Sequence, residues 1–145
     1  DKFRALRYDF VNVMKDSTFD RMYQWGVRLF KSGFYKESLV LFKEAYSKSK
    51  NIIFRAELND YLARSYMHTG DLSEAQDIFL ETTKKFSGTK ESVDAYFYLG
   101  LIYFVNKSYP KAQAQFEKVL SQTQYSEHEI ASRYWLWRAS QKLDN

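Results

Sequence analysis

The sequence predicts an all-α protein, an α-solenoid of antiparallel helix pairs, and three observations predict it. A large residue followed by a small one recurs as Trp25-Gly26, Leu62-Ala63 and Leu99-Gly100 at a step of 37 residues, and Leu136-Trp137 continues the register. A second series, Phe42, Phe79 and Phe116, keeps the same step, and each member follows a small residue (Ser38, Ala75, Ala112) by four positions. Turn-forming clusters at Ser32-Gly33, Thr69-Gly70-Asp71 and Asn106-Lys107-Ser108 fall between the two series, where a helix stops and reverses. No alternating apolar and polar stretch bounded by hairpin turns competes, so essentially no strand is expected.

Periodicity and caps predict helices near 3–15, 19–32, 35–49, 52–69, 72–86, 90–106, 109–122 and 126–143. The first carries Phe3, Leu6, Phe10 and Val13 without a matching helix before it. It is expected over 1–16 as an N-terminal cap on the helix starting at Phe19, or as the second helix of a truncated preceding repeat. The repeats proper occupy 19–50, 56–87 and 93–124. In each, the small residue (Gly26, Ala63, Gly100) lets the first helix approach the second, and the phenylalanine fills the gap beneath. Asp71 with Glu74, and Ser126 with Glu129, have capping-box spacing, and Pro110 stands in a first helical turn where its missing amide costs nothing. The final helix, 126–143, has bulky Trp137 in the small-residue slot, which marks either a lone capping helix or one whose partner lies beyond Asn145.

A length of 145 residues with 5 Gly and 1 Pro, and no linker-like stretch, predicts one domain over 1–145. Absent cysteine excludes disulfides, thiolate metal sites and cysteine nucleophiles, and leaves the compartment open. No run of 18 or more apolar residues exists to span a bilayer, and the charged start Asp1-Lys2-Phe3-Arg4 carries no signal-peptide core. The missing initial methionine points to a mature or excised segment. The net charge of +4 is spread among interspersed acids and bases, and Lys48, Lys50, Lys84 and Lys85 sit near helix ends beside acids, so no nucleic-acid footprint is expected.

Catalytic constellations are missing from the motifs. His68 and His128 fall on different helices with no Glu-x-x-His or His-Glu-x-x-His segment, and both are expected as surface residues; neither metal nor cofactor is expected. Glu57 with Asp60, and Glu127 with Glu129, lie a helical turn from Arg55, Arg64 and Arg133, where ordinary ion pairing explains them. No phosphate-cradling glycine loop and no Gly-x-Ser-x-Gly elbow occurs, so no enzyme activity is expected.

The leucine and small residue, the tyrosine three positions on, and the alanine and phenylalanine of the second helix together resemble the tetratricopeptide (TPR) pattern over about residues 19 to 143. The chain departs from it in its 37-residue period, where 34 is usual, and in lacking the closing proline. The resemblance implies a right-handed solenoid of about three repeats plus flanking helices. It also implies a concave groove lined by the first helix of each pair. The lining residues are Tyr23, Val27, Phe30 and Lys31, then Asp60, Arg64, Met67 and His68, then Phe97, Leu101, Phe104 and Val105. The family's chaperone-tail binders hold a peptide carboxylate with lysines and asparagines. Tyr23 and Val27 replace these here, so an apolar anchor on a helix or extended segment is the expected ligand. The opposing reading is that the aromatic stripe is core.

A second candidate surface is Tyr134, Trp135 and Trp137 beside Arg133 and Arg138, residue types that dominate interface energetics. The helix Ala131 to Ala139 resembles one from the superhelical region of soluble lytic transglycosylases, and Ala95 to Gly100 resembles periplasmic TPR proteins of Gram-negative bacteria. Both imply a bacterial envelope setting, periplasmic or envelope-associated, with a cytoplasmic one open. The expected function is a non-catalytic scaffold that binds a protein or peptide partner through the groove or the terminal aromatic patch. The alternatives are a non-catalytic superhelical segment of a peptidoglycan-cleaving enzyme or envelope-assembly factor, and self-association through an uncapped end. The expected partner-binding residues are Tyr23, Val27, Phe30, Arg64, Met67, Phe97, Leu101, Phe104, Tyr134 and Trp137.

Overall fold

The computed structural model describes residues 19–48, 52–122, 124–125 and 127–144. The expected N-terminal helix with Phe10, and Ser126 of the second capping box, lie outside them. Among the described residues the chain is all helical, without strand: α1 (Phe19–Lys31), α2 (Tyr35–Lys48), α3 (Ile52–His68), α4 (Leu72–Lys85), α5 (Lys90–Val105), α6 (Tyr109–Ser121) and α7 (Glu129–Asp144).

Three helix ends share one device. α1, α3 and α5 are each followed by a residue with positive φ: Gly33 at 85°, Gly70 at 90° and Lys107 at 61°. The amides of Phe34, Asp71 and Ser108 donate back to the carbonyls of Leu29, Tyr66 and Tyr103 at 2.8–2.9 Å, and those of Gly33, Gly70 and Lys107 donate to Phe30, Met67 and Phe104 at 3.0–3.1 Å. This paired closure satisfies carbonyls the helix would otherwise leave open, and it needs the left-handed conformation that glycine adopts without strain. The next helix starts at once: the carbonyls of Phe34, Asp71 and Ser108 accept from the amides of Ser38, Ala75 and Ala112. α5 opens differently, with Thr89 Oγ1 accepting from Ser92 N at 3.2 Å as a side-chain cap. Pro110 sits in the first turn of α6, as expected.

The chain divides into two compact units between Ala75 and Gln76, within α4. In the first, α2 packs against both α1 and α3. Met22, Leu29, Leu41, Phe42, Ala45, Leu58, Ala63 and Ala75 are among its fully buried apolar residues. A Cβ placed on Gly26 would stand 2.6 Å from Phe42 Cε1, inside van der Waals contact, so the small residue is required there by the ring across from it. In the second unit, α6 packs against both α5 and α7. Val93, Phe97, Ala112, Phe116 and Val119 form its core cluster. A Cβ on Gly100 would meet Phe116 Cε1 at 2.5 Å.

α7 starts at Glu129, with Ser132 N donating to the His128 carbonyl at 2.9 Å, three residues later than the capping-box spacing predicts. The connection ahead of it is tied down by side chains instead. Tyr125 Oη donates to the Gly88 carbonyl at 3.3 Å, and the His128 ring lies 2.8 Å from Asp94.

Candidate protein-interaction surfaces

The aromatic residues expected to line a groove belong, in the first unit, to a stacked lattice. Phe30 is buried (7% exposed) and meets Tyr35 and Tyr61 edge-on at 5.1 and 5.3 Å. Tyr23 is half-buried among Phe19, Phe42 and Tyr61 at 6.2 Å each. Burial first, and then the nearby Glu57 carboxylate, hold its phenol well above the ordinary tyrosine range, so it stays protonated. Arg64 places its guanidinium 4.9 Å from the Phe30 ring centre while its Nη1 lies 3.2 Å from Asp60 Oδ2, an i, i+4 pair. His68 stacks face to face on Tyr35 at 3.8 Å, and its pKa is lowered by burial and by Arg64. Val27 and Met67 are half-buried.

In the second unit Phe97 is likewise core, 8% exposed, with the His128 ring stacked on it at 4.3 Å. Phe104 is half-buried between Tyr109 and Trp135 at 5.2 and 5.0 Å, and Leu101 packs beside it against the core cluster. Phe30 and Phe97, expected as ligand anchors, are therefore spent on packing. The first helix of each pair uses those positions to hold its neighbours, and a stripe at helical spacing does not reveal which use prevails.

His128 is a correction. It is expected at the surface without acidic company, yet its side chain is 14% exposed and its Nε2 lies 2.8 Å from Asp94 Oδ1, which is equally enclosed. Glu127 stands next to it and is paired with Lys90 at 3.3 Å. The ligand atoms of Asp94, Glu127 and His128 lie within 4.8 Å of one another, a set of oxygens and nitrogen able to approach a divalent cation. The Lys90 ammonium and the imidazole already serve both carboxylates. The physical result is a polar clamp that fixes the start of α7 on α5. Local motifs miss it because the partners are 34 residues apart and meet only through packing.

Of the expected partner-binding residues the fold leaves Tyr134 and Trp137 open, 49% and 54% exposed; Val105, expected at the groove, is 65% exposed at the end of α5, and Ile130, which sequence reading passed over, is 86% exposed on α7. Ile130, Tyr134 and Trp137 share one side of α7 at i, i+4 and i+7. The other side is used: Ser132 and Ala139 are fully buried, and Trp135 and Leu136 pack against the α5–α6 core. Arg133 flanks the open stripe and pairs with Glu129 at 3.2 Å. An apolar row of this length beside cationic side chains fits the apolar face of another helix better than a small molecule.

Among the described residues no helix is long and apolar enough to cross a membrane. No model of a known protein family matches this chain, and no curated protein matches it.

Proposed function

We propose that the protein is a non-catalytic scaffold of the TPR type, a right-handed solenoid of helix pairs, that binds a partner protein through the exposed face of α7. One observation carries the reading: Ile130, Tyr134 and Trp137 form an aligned apolar row on a helix whose opposite side is already buried. An isolated exposed apolar side chain has no meaning by itself, but three in register on an anchored helix, two of them aromatic, make a preformed anchor surface. The repeat assignment draws support from two facts. The close approach at Gly26 and Gly100 recurs 74 residues apart, and the helix ends at Gly33, Gly70 and Lys107 share one closure at the 37-residue step. The inner groove contributes less, since Phe30 and Phe97 are occupied.

A photo-crosslinking residue at Tyr134, compared with one at exposed Lys84, tests the proposal in cells of the source organism. A discrete adduct formed from position 134 and lost on Trp137→Glu is the expected result. Identical labelling from both positions, or none, would sink the scaffold reading of α7.

A further inference from the structure

The polar clamp between α5 and the start of α7 is more than the helix contact requires. In the first unit, 74 positions earlier, Asp20, Ile53 and Phe54 stand where Asp94, Glu127 and His128 stand in the second. Phe54 there meets Phe19 at 6.5 Å, so an apolar contact suffices at that place. In the second unit the same places hold three donor side chains that converge. The ligand atoms of Asp94, Glu127 and His128 lie within 4.8 Å of one another, and His128 Nε2 is 2.8 Å from Asp94 Oδ1. Two donors on one tetrahedral zinc ion, each about 2.1 Å from the metal, stand about 3.4 Å apart. The observed separations bracket that value, and side-chain torsions alone can reach it.

The imidazole is aimed in advance by groups other than the carboxylates. Its ring lies flat on Phe97 at 4.3 Å with 8° between the planes, and Tyr98 meets it edge-on at 5.9 Å. The backbone that carries it is held as well, by Tyr125 Oη on the Gly88 carbonyl and by Ser132 N on the His128 carbonyl. A ligand fixed in this way loses little freedom on coordination, which is what a preformed metal site needs. A cavity of about 280 Å³ opens beside it, lined by Lys90, Val93, Gln124, Tyr125, Glu127 and His128. It gives access to two of the three ligands and room for the water that completes a four-coordinate ion.

We infer that Asp94, Glu127 and His128 bind a zinc ion that clasps the start of α7 to α5. The donor set, one imidazole nitrogen and two carboxylate oxygens without sulfur, suits zinc; calcium asks for six or more oxygens, and magnesium keeps an octahedral shell of oxygens and water. The neutral ring takes the ion on its Nε2 lone pair while Nδ1 keeps the proton. The ion replaces two weaker partners. Lys90 and Glu127, 3.3 Å apart, have side chains 58% and 62% exposed, so solvent screens that pair, and the Asp94–imidazole contact is one hydrogen bond. Two carboxylates match the double charge of the ion, which becomes the largest charge in the site and displaces the ammonium into solvent. This inference is independent of the partner surface on α7.

Chelator-treated protein titrated with zinc chloride by calorimetry, with calcium and magnesium chloride as controls, tests it. One zinc per chain is expected, with a rise in Tm that neither control gives. His128→Gln and Asp94→Asn each weaken zinc binding at least about tenfold, a loss that even the residues supporting a metal's ligands produce. Glu127→Gln does the same, and because Glu127 is 62% exposed it keeps the test decisive should the enclosed pair be needed for folding, which circular dichroism reports. Lys90→Gln removes the competing ammonium and tightens zinc severalfold. His68→Gln, at the other histidine, leaves binding as it was. Any of four results overturns the inference: no zinc bound; zinc bound equally by Glu127→Gln or lost instead in His68→Gln, an adventitious ion only; calcium or magnesium bound as tightly as zinc; or affinity in Lys90→Gln unchanged or reduced.

Discussion

In the first unit Phe30 meets Tyr35 at 5.1 Å and Tyr61 at 5.3 Å, and in the second Phe104 meets Tyr109 at 5.2 Å and Trp135 at 5.0 Å, all edge-on. Each pair of positions is separated by 74 residues, as are Tyr23 with Phe42 (6.2 Å) and Phe97 with Phe116 (6.0 Å). The hydrophobic frame is therefore held to a few tenths of an ångström. The units differ in where they place polarity. The first buries a serine pair, Ser38 and Ser65, with hydroxyls 3.3 Å apart; the second has Ala112 and Ala139 there, both fully buried. Conversely, the second carries the His128–Asp94 clamp where the first has Phe54, 6.5 Å from Phe19. Ring geometry at the helix contact is the shared requirement, and polar pairs around it are interchangeable as long as each is satisfied.

The largest effect that could break this equivalence is loss of the ring beneath the glycine. Phe42→Ala and Phe116→Ala each empty a fully buried site and are expected to cost about 3–5 kcal/mol. The two costs should agree within a factor of two, read by denaturant titration alongside amide exchange to assign the loss to one unit. A cost below about 1 kcal/mol for either would show that this unit does not hang on its phenylalanine.

Much of this frame is legible in the sequence, because small residues facing rings and turn residues after helices leave local signatures. The helix ends follow, since Gly33 and Gly70 announce their closures and the seven described helices fall within about three residues of their expected bounds. Two things escape. The use of Phe30 and Phe97 as packing rather than display depends on which neighbour arrives, and periodicity carries no such information. The His128–Asp94 pair depends on a contact between α5 and the approach to α7, and it also explains why α7 starts at Glu129 rather than at the capping-box position.

The serine pair allows a smaller, sharper test. Ser38 Oγ also lies 2.9 Å from the Tyr35 carbonyl, to which it donates, so the Ser65 hydroxyl is the donor within the pair. Ser38→Ala removes that acceptor from a fully buried hydroxyl and is expected to cost about 1–3 kcal/mol, whereas Ser65→Ala removes one hydrogen bond and costs about 1 kcal/mol. The double change recreates the Ala112 and Ala139 arrangement of the second unit. It is expected to be within about 0.5 kcal/mol of the native protein, well short of the two single costs combined. Simple additivity in a double-mutant cycle would mean that the units tolerate polarity for separate reasons.

The weakest expected effect sits at the helix closures, where the shared geometry predicts a gain. Gly33 and Gly70 hold φ near 85–90°, and nothing lies within 4 Å of where a Cβ would stand, so the only objection to a side chain there is the backbone itself. Lys107 accepts that objection at φ 61°. A left-handed L-residue costs about 1–2 kcal/mol, and glycine in its place raises the entropy of the unfolded chain by about 0.5–1 kcal/mol, leaving a net stabilisation of about 0.5–1 kcal/mol for Lys107→Gly. That corresponds to a rise in Tm of about 1–4 °C, while Gly33→Lys and Gly70→Lys lower it by a similar amount. A loss of stability in Lys107→Gly would mean that the lysine side chain contributes more at this closure than the backbone strain it carries.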